Sequence, residues 1–133
     1  MRIVLDTNVF ISGVFFSGPP HQILTAWRDG KVKLVASAEI LEEYRRVGHE
    51  LDSRFGGVDV EPFLALVAVA GQIVLAPALP KSVCEDPDDD KFIACALASR
   101  SKIIVSGDKA LQKASGHLGI DIVSPRRFVE DHL

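Results

Sequence analysis

The chain has 133 residues, 47% hydrophobic and 25% charged, with 15 Lys and Arg against 18 Asp and Glu for a formal net charge of −3. A chain of this length builds one core that buries roughly two thirds of the unfolded surface, so one domain over 1–133 is expected. No apolar run approaches the ~18 residues of a membrane span and no export signal is visible, so no membrane partner is expected and a cytoplasmic protein is the default expectation.

The acidic balance is not that of a protein holding nucleic acid by bulk charge. Divalent ions on four carboxylates would change the sum, moving −3 to about +1. Cys84 and Cys95 have no spacing that indicates zinc, and they read as reduced thiols, with Cys95 a small buried hydrophobe.

Ile3-Val4-Leu5 is an aliphatic run without polar alternation, a strand buried on both faces, and it ends in Asp6-Thr7-Asn8. A short helix follows through Val9-Phe10-Ile11 and Val14-Phe15-Phe16, and Ser17-Gly18-Pro19-Pro20 reads as a loop. From His21 to Gly30 the spacing of Ile23, Leu24 and Trp27 predicts a helix. Lys33 to Ala36 is a second strand, and Ser37 can cap a helix with Ile40, Leu41, Tyr44 and Val47 as its apolar stripe, weakening at Gly48 and over by Gly56-Gly57. Pro62 to Ala70 is helical, and Gln72 to Leu75 is a third strand that leaves through Ala76 to Pro80. A helix from Asp88 to Arg100 is announced by Asp86-Pro87. Lys102 to Val105 is a fourth strand, Lys109 to Ser115 a helix, Asp121 to Val123 a fifth strand, and Ser124-Pro125 opens a last helix to Val129. Strand and helix in alternation predict a three-layer α/β/α domain with a parallel sheet of about five strands, ordered 3-2-1-4-5.

Two acids fall on faces that should pack. Ile40, Glu43, Tyr44 and Val47 follow i, i+3, i+4, i+7, and so do Asp90, Ile93, Ala94 and Leu97, which places Glu43 and Asp90 on buried stripes. Asp88 and Asp89 read as first-turn residues favoured by the helix dipole, and Asp86 as a cap. A buried carboxylate costs several kcal/mol unless it is paired, hydrogen-bonded or bound to a metal, so each either meets a nearby Arg or Lys or belongs to a site.

Asp6 and Asp108 end strands one and four, neighbours across the point where strand order reverses, and ligands bind at that carboxyl edge. Carboxylates gathered there repel, and hard divalent cations relieve the repulsion; Mg²⁺ or Mn²⁺ fits an all-oxygen ligand set and implies phosphodiester hydrolysis. Thr7, Asn8, Ser37 and Ser106 either orient ligands and waters or serve as caps and turns. Arg45, Lys91, Arg100, Lys109 and Lys113 either meet substrate phosphates or form solvated helix faces. His21, His49, His117 and His132 share no site-like spacing. Walker A and dinucleotide glycine motifs are absent, and an aspartyl-phosphate phosphatase with Asp6 as nucleophile is disfavoured because Asn8 stands where a second carboxylate would act as acid or base.

The segments Ile3-Val4-Leu5-Asp6-Thr7-Asn8-Val9, Ser37 through Glu43, Asp86 through Ala94 and Ile104-Val105-Ser106-Gly107-Asp108 together resemble the PIN domain, in particular the VapC-type ribonuclease toxins of toxin–antitoxin pairs. The resemblance implies an Mg²⁺- or Mn²⁺-dependent ribonuclease acting on RNA, with Asp6, Glu43, Asp90 and Asp108 as its acidic quartet, a homodimer, and a small cognate antitoxin protein. Ala110 stands near where many relatives carry a further acid, which implies weak binding of a second ion. The alternative is a catalytically inactive PIN-like adaptor binding RNA or protein through the same crevice.

Overall fold

Strand β1 (Arg2–Leu5) is buried at Ile3, Val4 and Leu5, as an aliphatic run between two helical layers must be. The computed structural model describes residues 1–133 and places β1 at the centre of a five-stranded parallel sheet of order β3-β2-β1-β4-β5. Strands β2 (Lys33–Ser37) and β4 (Ile103–Val105) flank it, with Ile3 opposite both Leu34 and Ile103. The edges are β3 (Gln72–Val74) and β5 (Asp121–Val123). The expected layer architecture and strand order are those observed.

Helices α1 (Thr7–Phe15), α2 (Pro19–Arg28), α3 (Ala38–Phe55) and α4 (Glu61–Ala70) connect the first three strands. A 3₁₀ turn (Pro87–Asp89) leads into α5 (Asp90–Ser99), and α6 (Lys109–Gln112) and α7 (Pro125–His132) complete the chain. Two local expectations fail for identifiable reasons. Pro19 and Pro20 start α2 rather than standing in a loop, since the first helical turn has no need of their missing N–H groups. The expected weakening at Gly48 is not seen: α3 runs through it to Phe55, and the missing side chain serves packing, since a Cβ there would lie 2.8 Å from both Val60 methyls.

One interaction fixes α3 against the sheet. The buried Tyr44 hydroxyl donates to the Leu5 carbonyl at 2.5 Å, and its ring stacks on Phe10 of α1 with centroids 4.2 Å apart. The carboxyl end of β1, the start of α1 and the second turn of α3 are thereby held together.

Gly48→Ala forces a methyl into the Val60 side chain and is expected to cost about 1–3 kcal/mol, read as a lowered Tm. Adding Val60→Ala to that variant makes room for the new methyl, so the double variant should lose less than the sum of the two single losses.

Candidate metal-binding crevice

Asp6 follows β1 directly, and its backbone N–H extends the β1–β4 ladder by donating to Val105 O at 2.9 Å. Its side chain is 8% exposed and accepts from the Ser106 hydroxyl, Oγ to Oδ2, at 2.6 Å. Ser106 in turn accepts from the Asp108 N–H at 3.0 Å, so one hydroxyl ties the ends of β1 and β4 and sets the course of the chain to Asp108. Asp108 is exposed, and its Oδ1 caps α6 by accepting from Ala110 N at 2.9 Å.

Glu43 occupies the expected face of α3, and its side chain is 15% exposed. Both of its oxygens are already engaged. Oε2 accepts from the Thr7 hydroxyl, and Oε1 faces the Lys91 ammonium at 2.7 Å and Arg46 at 3.9 Å. Lys91 also pairs with Asp88 at 3.0 Å. It is neither a solvated helix residue nor free to meet a phosphate; with 7% of its side chain exposed, it is a buried bridge between two carboxylates.

Asp90 departs from its expected environment. Its Oδ1 accepts from the backbone N–H groups of Val83 at 3.1 Å and Cys84 at 2.9 Å, so the carboxylate holds the preceding loop. Burial alone would raise its pKa, but the Cys84 N–H, the Ser82 hydroxyl and the Val83 N–H outweigh burial and hold the carboxyl below the ordinary range. Asp89 is the acid that feels the crevice. Its carboxyl is pushed up to about 6, first by burial and then by the charges of Asp6, Asp86 and Asp108, with Lys91 pulling the other way. Asp6 is likewise raised, chiefly by burial, against the Ser106 and Asn8 hydrogen bonds, with the charges of Asp108 and Glu43 adding to the rise. The structure therefore brings Asp6, Asp89 and Asp108 into one electrostatic neighbourhood, with Glu43 at its rim and Asp90 turned to the loop.

The turn ahead of α5 accounts for the position of Asp89. Asp86 Oδ1 accepts from Asp88 N at 2.9 Å and Asp86 O accepts from Asp89 N at 3.0 Å, closing a 3₁₀ turn led by Pro87. Residues three apart eclipse in such a turn, so Asp89 falls on the Asp86 side and not where an α-helical wheel begun at Asp88 puts it.

The PIN domain family profile matches residues 2–110. The chain belongs to the PIN domain family. PIN domains are a nuclease family, and an uncharacterized protein of Methanocaldococcus jannaschii is 29% identical to this one over 142 aligned positions, covering 98% of this chain and 91% of its own. No helix of this PIN domain is long and apolar enough to cross a membrane.

No three His, Cys, Asp or Glu side chains are gathered at ligating distance around one point. Asp6, Asp89 and Asp108 nonetheless suit a hard divalent ion by donor chemistry: all are carboxylates, none is in an ion pair with Lys, Arg or His, and Asp6 and Asp89 are destabilised by neighbouring negative charge. Mg²⁺ commonly takes one or two carboxylates directly and completes its shell with water, so three ligating side chains are not required.

The raised carboxyls of this PIN domain carry a pH signature. A folded-state pKa above the unfolded value means that the folded chain holds protons the unfolded chain releases, so these groups cost stability as pH rises through the window from 3.8 to about 6. In EDTA, Asp89→Asn should match the wild-type Tm near the bottom of that window and exceed it by a growing margin towards neutral pH, measured by thermal melts in a series of buffers.

Proposed function

We propose that this PIN domain, as one unit spanning residues 1–133, is a divalent-metal-dependent endoribonuclease that hydrolyses RNA phosphodiester bonds in the cytoplasm. The observation that carries the reading is that Asp6 and Asp108 leave the paired strands β1 and β4 tied by one Ser106 hydroxyl, while neither they nor Asp89 is in an ion pair with a protein cation.

When bound, Mg²⁺ or Mn²⁺ supplies positive charge for the phosphoryl oxygens and acidifies the attacking water. The residues of the chain provide the orientation. Ser106 holds Asp6 Oδ2 in place and, through the Asp108 N–H, fixes where that second acid leaves the sheet. In this reading Asp6 and Asp108 would hold the ion, as the sequence led us to expect, one or both of them directly and the rest of the shell being water, with Asp89 adding negative charge beside them. Glu43 stays close enough to raise the Asp6 carboxyl while being neutralised from its own side, and Asp90 positions the α5 turn from the loop. A bound dication also offsets part of the net charge of −3 at the place where an RNA phosphate would approach.

The resemblance extends this reading to the toxin of a toxin–antitoxin pair, a homodimer restrained by a small antitoxin protein. Growth arrest on expression, relieved by co-expressing an adjacent small reading frame whose product co-purifies, is the outcome expected. The adaptor reading is favoured by one observation, that Glu43 and Asp90 are already satisfied by Lys91 and by backbone N–H groups.

Cleavage of a single-stranded RNA by the purified chain in Mn²⁺, abolished by EDTA, is expected of the nuclease and not of the adaptor. Asp6→Asn should lower the rate by at least about 100-fold, because it removes a charge from the cation's side of the crevice. Ser106→Ala should cost roughly 10–100-fold, as loss of a group that orients a ligand does. Intact RNA after incubation with wild-type protein and Mn²⁺ would refute the nuclease reading.

A further inference from the structure

Among the crevice residues, the Lys91 ammonium is unusual in being a buried cation held by side chains of two elements. It lies 2.7 Å from Glu43 on α3 and 3.0 Å from Asp88 in the 3₁₀ turn, and its own side chain is 7% exposed. Burying an ammonium costs several kcal/mol unless good geometry and opposite charge compensate, and here two carboxylates do so. Their negative charge is in turn spent on it. Glu43 Oε1 is taken by Lys91 with Arg46 behind it, and Oε2 by the Thr7 hydroxyl, so no Glu43 oxygen is left without a protein partner.

The acids near the crevice therefore fall into two groups. Glu43 and Asp88 are neutralised from within the protein, whereas Asp6, Asp89 and Asp108 are left without a paired cation. We propose that Lys91 is a built-in counter-ion that takes the place of a second divalent ion, so that the crevice loads a single Mg²⁺ or Mn²⁺ on the Asp6, Asp89 and Asp108 side. This rests on the metal-dependent reading above. Lys91 is on this view a positioning residue: it holds Glu43 beside Thr7 and fixes the charge of that half of the crevice, whereas a second ion would have to displace the ammonium from both carboxylates. A fixed ammonium between Glu43 and Asp88 supplies positive charge on that side without an exchangeable ligand.

Manganese stoichiometry tests the inference independently of catalysis. Chelator-stripped full-length protein titrated with Mn²⁺, followed by calorimetry and by the electron paramagnetic resonance signal of the free ion, should take up one ion per chain. Lys91→Met frees Glu43 and Asp88 and should take up a second. Lys91→Arg should remain at one, and Lys91→Met combined with Glu43→Gln should return to one. Two ions on the wild type, or one or none on a folded Lys91→Met, would overturn the proposal. Should Lys91→Met fail to fold, Lys91→Gln is titrated in its place, two ions supporting the proposal and one refuting it, and two ions on the wild type refute it whichever variant folds. Wild type that binds one Mn²⁺ and leaves RNA intact would sink the nuclease reading alone. Wild type that cleaves RNA with two ions bound would sink only the role given to Lys91.

Discussion

Bringing like charges together at the mouth of a parallel sheet is costly, and much of the local structure around α3, α5 and β4 moderates that cost. Two carboxylates about 4 Å apart repel by roughly 4 kcal/mol at a surface-like dielectric, and burial adds a desolvation penalty. The chain answers in three ways. A lysine inserted between Glu43 and Asp88 supplies opposite charge, and the backbone N–H groups of Val83 and Cys84 supply dipoles to Asp90. For Asp6 there is only the Ser106 hydroxyl and the Asn8 backbone N–H, and these do not suffice: the Asp6 carboxyl stays above its ordinary value. The strain that remains is what an external cation can relieve, and it remains in one place.

The fold decides that place. With β1 central and β2 and β4 on either side, the chain after β1 turns one way and returns to pair on the other, so the turns after Leu5 and Val105 open onto one crevice. Membership of the PIN domain family accounts for this architecture, while the division of labour among the acids belongs to the particular side chains present.

The sheet order was legible because unalternated aliphatic runs and intervening amphipathic helices leave few right-handed parallel arrangements. Glu43 was legible for a similar reason, since α3 is a regular helix and its 3.6-residue period applies from Ser37 onward. The Asp86–Asp90 segment was not. Five residues hold four acids, and which of them faces the crevice depends on whether the first turn winds at three or 3.6 residues, a choice made by Pro87 and the Asp86 cap. Lys91 is not legible in kind, because a lysine beside acids at the start of a helix has the same pattern whether it is solvated or buried, and only the approach of α3 distinguishes the two. Gly48 looks like a weak point in α3 on the sequence because its role lies outside the helix, in the distance to Val60.

The phenol of Tyr44 acts as a ruler across this architecture. Its oxygen rests on the last residue of β1 and its Cα sits one position beyond Glu43, so the reach of one aromatic side chain links the Glu43 turn of α3 to the strand that leads into Asp6. Shortening that strut would release α3 from Leu5, although Tyr44 is wholly buried. The dimensions of the crevice are therefore encoded in the core beneath it.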